Sequence, residues 1–260
     1  MKKFKIQIKP KNIILTILAI TIILIIALTI IYYNGRNKEN SLFRIREILL
    51  FNSATVISDP NKDSLENLII SQYSDLSIYI DNNLIDSELT NTNTIKELYI
   101  DNISITPKIN KGSQTLNYKN PLTIGKYTNI TQPNNNRIDF NIINTNEQDD
   151  NSNYDEPSFY TDCSNPITLG YLNNNIVNNY SITDDINTVS YNAKVLKEAN
   201  INLDDINNTL NFTIHIVNNA NHKFYCNVKI DIQLDEDFVN TGYSYIRYTS
   251  LEEEYNFFRE

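Results

Sequence analysis

"TLNFTIHIVNNANHKFYCNVKIDIQL", residues 209–234, holds two runs of strict alternation separated by a short polar break. Leu210, Phe212, Ile214 and Ile216 occupy every second position of the first; Phe224, Cys226, Val228, Ile230, Ile232 and Leu234 do so in the second. Successive side chains of a strand point to opposite faces, so each run reads as a strand with one apolar face. If the two faces share a core, the register follows. A five-residue loop, Asn218 to His222, sets Val217 opposite Lys223, Ile214 opposite Cys226 and His215 opposite Tyr225. A four-residue loop would set Ile216 against Lys223 and strand one apolar set in water, at roughly 1.5–3 kcal/mol per large side chain. Cys226 is then core filler, a small hydrophobe whose thiol pKa is raised by burial.

The same period recurs elsewhere. "DLSIYI" (75–80), "ELYI" (97–100), "ISIT" (103–106), "RIDFNII" (137–143), "ITLGYL" (167–172) and "TVSYNAKV" (188–195) read as further strands. Clusters of Asn, Asp and Ser lie between them, side chains that bond their own backbone and tolerate turn conformations. Helical spacing is weak, confined to "VLKEANINLDDI" and the C-terminal "LEEEYNFFRE". The pattern predicts an all-β chain, an antiparallel β-sandwich. With 5 Gly, 7 Pro and no Trp beside abundant Asn, Ile and Tyr, the composition fits a low-GC, bacterial genome.

One segment departs from this pattern. "IILTILAITIILIIALTIIYY", residues 13–33, contains no charge, Gly or Pro. At about 1.5 Å per residue a helix of that length spans roughly 30 Å, a bilayer's hydrocarbon thickness. The run is too long for a signal-peptide core, and bulky Ile31, Tyr32 and Tyr33 end it where a cleavage site needs small residues. Lys2, Lys3, Lys5, Lys9 and Lys11 precede it, so the positive-inside rule holds residues 1–12 in the cytoplasm and places the body outside, on a bacterial cell membrane. "SLFRIREILLF" (41–51) has Leu42, Ile45 and Leu49 at helical spacing, which reads either as an amphipathic stem on the membrane surface or as the first piece of the domain, a helix leading into the fold; residues 34–52 are taken as the stem and residues 53–260 as the β domain. With 31 acidic against 22 basic residues and five of the latter before the helix, the body is strongly acidic and repels phosphate backbones, which argues against nucleic acid as a partner.

Candidate chemistry is sparse. Cys163 and Cys226, the only two cysteines, could form a disulfide on the oxidising side of the membrane. A cysteine transpeptidase of the sortase kind needs a thiolate activated by His and Arg. His215 and His222 are the only histidines, but His215 points away from Cys226 and "KFYC" stands where that family has Thr-Leu-x-Thr-Cys. No Gly-x-Ser-x-Gly occurs, so no enzyme is predicted. In "DDNSNYDE", Asp149, Asn151, Asn153 and Asp155 alternate as calcium ligands do, but Tyr154 replaces the turn glycine of an EF-hand, which leaves a loose calcium site as the one cofactor reading. Along "GYSYIRY", Tyr243, Tyr245 and Arg247 share a face suited to stacking on sugar rings or on a partner's side chains. Five N-x-[ST] matches, at Asn102, Asn129, Asn179, Asn207 and Asn211, arise by chance in a chain this rich in Asn.

"DEPSFYTDCSNPITLGYLN" (155–173) with "SQYSDLSIYIDN" (71–82) resembles single-pass exported β-rich proteins of low-GC Gram-positive bacteria, a likeness covering about half the chain. In layout alone it is similar to the fibre-forming TasA and camelysin proteins. The expectation is a membrane-anchored surface protein with a binding or structural role toward an unknown surface protein or polysaccharide. The alternative is a self-associating filament subunit that donates a terminal segment such as "LEEEYNFFRE".

Overall fold

The alternation of residues 209–234 is realised pair by pair. Val217 faces Lys223, Tyr225 faces His215, Cys226 faces Ile214, and Ile230 faces Leu210. Asn218 closes the loop: its side-chain oxygen accepts from the His222 N–H at 2.8 Å, and its backbone N–H donates to the His222 carbonyl at 3.0 Å. Leu210, Phe212, Ile214, Ile216, Phe224, Cys226, Val228 and Ile230 are all buried.

The computed structural model describes residues 17–30, 42–57, 67–82, 89–106, 111–120, 130–131, 133–144, 156–181, 194–236, 238, 243–249, 251 and 255–260. The chain divides into an N-terminal unit, whose described part is helix α1 (residues 17–30), and a β domain that starts at Leu42. The large apolar side chains of α1, from Ile17 to Ile30, are at least half exposed. Among the described residues no helix is long and apolar enough to cross a membrane.

The β domain comprises β1 (Arg44–Ile57), β2 (Leu68–Asp81), β3 (Ile95–Thr106), β4 (Ser113–Lys119), β5 (Ile130–Thr131), β6 (Ile138–Ile143), β7 (Ser158–Tyr160), β8 (Ile167–Tyr180), β9 (Asn208–Asn218), β10 (Lys223–Ile232), β11 (Tyr243–Thr249) and β12 (Phe258–Arg259), with a short helix α2 (Lys194–Glu198). These strands form two six-stranded sheets, ordered β11-β1-β2-β8-β4-β5 and β12-β10-β9-β3-β6-β7. The chain is thus mostly β, as the alternation predicts. The sheets are not wholly antiparallel, because β6 and β7 run parallel. Ile48, Leu76 and Tyr171 from the first sheet, with Phe43 just before β1, join Leu98, Phe140, Ile214 and Val228 from the second in one apolar cluster. A second cluster, Ala54, Ile70 and Ile176 with Leu196, Ile206 and Phe238, packs α2 and the turn after it against β1, β2 and β8. Inward-facing Asn52, Gln72, Ser74 and Asn173 are fully buried polar side chains of the first sheet. Ser74 donates to the Asn52 side-chain oxygen at 2.5 Å, and Gln114 donates to Asn173 at 3.0 Å.

Three expectations are corrected. Residues 44–52 are not a helical stem but the first half of β1. Its register with β2 slips by one residue between Ile45 and Glu47, so Arg46 is an extra, exposed residue and the buried set runs Phe43, Ile45, Ile48, Leu50. A bulge turns a spacing of two into three, which imitates helical spacing. Val195, read as the end of a strand, lies in α2, and residues 188–193 of that run fall outside the described residues. The described C-terminal residues are extended rather than helical, with Tyr255 and Phe257 buried and β12 on the edge of the second sheet.

Asparagine does the work that glycine usually does. Asn102, Asn175 and Asn179 have φ of 52°, 58° and 59°. Each lies where the pairing slips: Asn102 between the Asp101 and Ser104 pairs of β3 with β9, Asn175 and Asn179 where β8 passes Leu68 to Gln72 of β2. Asn135 and Asn136, both at positive φ, form the two-residue turn between Asn134 and Arg137, whose backbones exchange hydrogen bonds of 2.8 and 3.0 Å. The slip at Asn102 carries the buried phase from Leu98 and Ile100 to Ile103 and Ile105, so two short strands in the sequence become one.

Two substitutions test this account by urea denaturation. Ile214→Ala is expected to cost about 2–5 kcal/mol, the usual loss for a large-to-small change in a closed core. Asn102→Val should cost about 1–2 kcal/mol through its left-handed backbone while Asn102→Gly does not.

Candidate functional site

Three groups of polar and aromatic side chains stand on the outer faces of the two sheets. The first is the edge of the first sheet. Tyr243 and Tyr245 on β11 are 57% and 58% exposed, and Arg247 shares their face, while Ser244, Ile246 and Tyr248 turn inward. Pairing with β1 sets Tyr245 opposite Phe51 and Arg247 opposite Leu49. The Tyr243 ring stacks on Phe51 at 6.1 Å between centroids, and Arg247 Nε lies 2.5 Å from Glu47 Oε1. The predicted stripe therefore exists as one surface. Phe51 extends it, a contribution hidden in sequence because the bulge at Arg46 gives residues 41–51 helical spacing.

The second group crosses the outer face of the next sheet. Asp139, Tyr99, His215 and Tyr225 are successive cross-strand neighbours on β6, β3, β9 and β10. Arg137 lies over the Tyr99 ring at 3.6 Å; Tyr99 and His215 stack at 4.5 Å, 9° from parallel. His215 Nε2 is 3.0 Å from Asp101 Oδ1, and Nδ1 is 3.2 Å from Glu260 Oε1. Two carboxylates and the stacked Tyr99 plane thus fix this ring. It faces outward, whereas Cys226 on the neighbouring strand faces the core, so a thiol–imidazole pair cannot form between them. Burial raises the Tyr99 phenol pKa, partly offset by Arg137.

The third group is buried although it points away from the core. On β2, Tyr73 and Asp75 face outward at 1% and 9% exposure; on β4, Lys119 does the same at 2%. Lys119 Nζ and the Tyr73 hydroxyl both make close contact with Asp75 Oδ1. The ammonium also lies 4.6 Å from the centroid of the Tyr73 ring. Burial lowers the Lys119 pKa, and its hydrogen bond and charge pairing with Asp75 oppose that shift. Between β2 and β4 runs β8, and the residue opposite Asp75 is Gly170. A Cβ there would sit 3.3 Å from the Tyr73 hydroxyl and 3.6 Å from Lys119 Cβ, so a bare backbone gives the lysine its path across the strand. The sequence reading missed this group, since Asp75 and Lys119 look like ordinary outward positions. Its one signal was a glycine inside a strand in a chain with five.

Cys163 and Cys226 are both free. The Ile95 N–H donates to the Thr161 carbonyl, which puts the Cys163 turn near the Ile95 end of β3. Cys226 is level with Ile100 through Ile214. Five residues of strand are about 16 Å at roughly 3.3 Å each, and disulfides need Cα atoms about 4.4–6.8 Å apart. The possible disulfide is therefore not formed, and both residues are thiols with pKa raised by burial, that of Cys226 from 9.0 to about 12. Asp149, Asn151, Asn153 and Asp155 fall outside the described residues, among which no group of three His, Cys, Asp or Glu side chains is placed to hold a metal. A cavity of about 230 Å³ lies among Ile48, Ile230, Tyr248, Leu251 and Tyr255, smaller than the roughly 300–1,000 Å³ of typical small-molecule sites. Comparison with family models, curated proteins and solved structures finds no match to this chain.

Thiol chemistry gives a direct check. Iodoacetamide at pH 8 should leave Cys226 intact in the native protein and alkylate it after unfolding, as read by peptide mass. Because its folded pKa exceeds the unfolded one, the unfolded chain loses this proton first. Its contribution to stability is whole below pH 9.0 and declines as pH rises toward about 12. Cys226→Ala should show a shallower loss of stability across that window.

Proposed function

We propose that this chain is a single-pass surface protein of a low-GC Gram-positive bacterium, with its N-terminus in the cytoplasm and its β domain outside, making contacts through the β11 edge. The observation that carries the anchor is α1: a helix whose large apolar side chains stand exposed all round wants lipid, since burying them is favourable by about 25 cal/mol per Å². The uncharged run continues to residues 13 and 33 on either side, with the lysine cluster before it.

Tyr243 and Tyr245 expose broad, stiff rings, and Arg247 is held beside them by Glu47. Such a strip stacks on sugar rings or on a partner's planar side chains with little loss of side-chain entropy. Polymerisation by strand donation is the alternative. It would require release of β12, since the C-terminal segment occupies its own sheet edge and the Glu260 N–H donates to the Lys223 carbonyl at 3.0 Å.

Protease added to intact cells should remove the β domain and leave a membrane-embedded N-terminal fragment. A spared body, or a protein washed out by alkaline carbonate, overturns the topology. Tyr243→Ala combined with Tyr245→Ala should leave the melting temperature nearly unchanged and abolish co-sedimentation with isolated cell walls. Size exclusion of residues 41–260 should give one peak; a ladder would favour the filament.

A further inference from the structure

The Lys119–Asp75 contact has features that an ordinary ion pair does not need. An amine and a carboxyl group, both almost out of water, meet across an intervening strand and touch at a single oxygen that a phenol also contacts. A glycine clears the route between them. We infer that Lys119 Nζ and Asp75 Cγ are joined by an intramolecular isopeptide bond, formed by the folded protein itself.

The step balances without a co-reactant. In a dry site an ammonium–carboxylate pair is costly, and moving the proton from nitrogen to the carboxylate leaves a neutral amine beside a neutral acid. The lowered Lys119 pKa runs in the same direction. The nitrogen lone pair adds to Cγ as the Tyr73 hydroxyl donates to Oδ1, the oxygen on which charge develops. The Cγ–Oδ2 bond then breaks: Oδ2 carries the proton first moved from the ammonium, takes a second from the attacking nitrogen and leaves as water, and an amide remains. The fold supplies the proximity: groups held in contact react as though at an effective concentration of about 10⁵ M or more. Tyr73 is accordingly a catalytic residue for bond formation, and Gly170 a positioning residue.

The consequence is mechanical. The bond would tie β2 to β4 across β8, so that the three neighbouring strands of the first sheet could not be pulled apart without breaking a covalent link. That suits a body tethered at one end and loaded from outside, but the inference does not depend on that tether.

The test is the mass of the purified full-length protein. The expected value is one water below the mass encoded by the sequence, with a tryptic digest yielding a branched peptide that joins the Asp75 segment to the Lys119 segment. Lys119→Arg should restore the encoded mass and remove the branched peptide; Tyr73→Phe should slow its appearance after refolding. A full encoded mass in wild-type protein with a cooperative thermal transition overturns the inference. A water loss confined to one unbranched peptide, the signature of a cyclised aspartate, overturns it as well. The wild-type measurement decides the matter even if the variants fail to fold.

Discussion

The structure depends on one constraint: both strands of the 209–234 hairpin must turn their apolar sets to the same side, where the first sheet closes over them. Ile214 and Cys226 sit opposite each other because any shift by one residue would turn one whole set to water. Once that pair of strands is set, β3 joins beside β9, placing Leu98 and Ile100 next to Ile216 and Ile214. Ile48 and Leu76 of the opposing sheet, with Phe43 at its start, then meet a continuous apolar surface. The outward chemistry follows from the same geometry. His215 is outside because Ile214 and Ile216 are inside, and its ring meets Tyr99 because the two occupy a cross-strand pair.

Long strands in a glycine-poor chain require another device. A strand of fourteen residues such as β8 cannot keep one register along its whole length while its neighbour twists, so extra residues enter as bulges. The residue at such a point often needs a left-handed backbone. Glycine is the usual choice, and asparagine tolerates the conformation best among the rest. Asn135 and Asn136 are thus where the chain turns, and Asn102, Asn175 and Asn179 where strands slip. Gly170, by contrast, is kept where the requirement is empty space beside Tyr73 and Lys119.

The outer faces divide by how much water reaches them. Along β11 the rings of Tyr243 and Tyr245 are more than half exposed to water. Across β3 and β9 the planes of Arg137, Tyr99 and His215 are already stacked on each other, a surface whose contacts are spent within the chain. Around Lys119 water is nearly excluded, and charge there is far more expensive than at either other place.

What the sequence determined by itself was periodicity: an all-β body, the hairpin register, the inward place of Cys226, the shared face of Tyr243, Tyr245 and Arg247, and a separate uncharged apolar run at residues 13–33. These are local properties, readable because a strand repeats every two residues and side chains sort by solvent. Only the tertiary structure decided that residues 44–57 are a strand, since a bulge at Arg46 broke the local period and the partner β2 restored it. It alone brought Lys119 to Asp75 and Tyr73, because two outward positions 44 residues apart meet only when a third strand, carrying a glycine, is laid between them. Contacts of that kind leave no trace in the spacing of a single chain: they arise from which strands become neighbours, and the apolar packing of the whole body makes that choice.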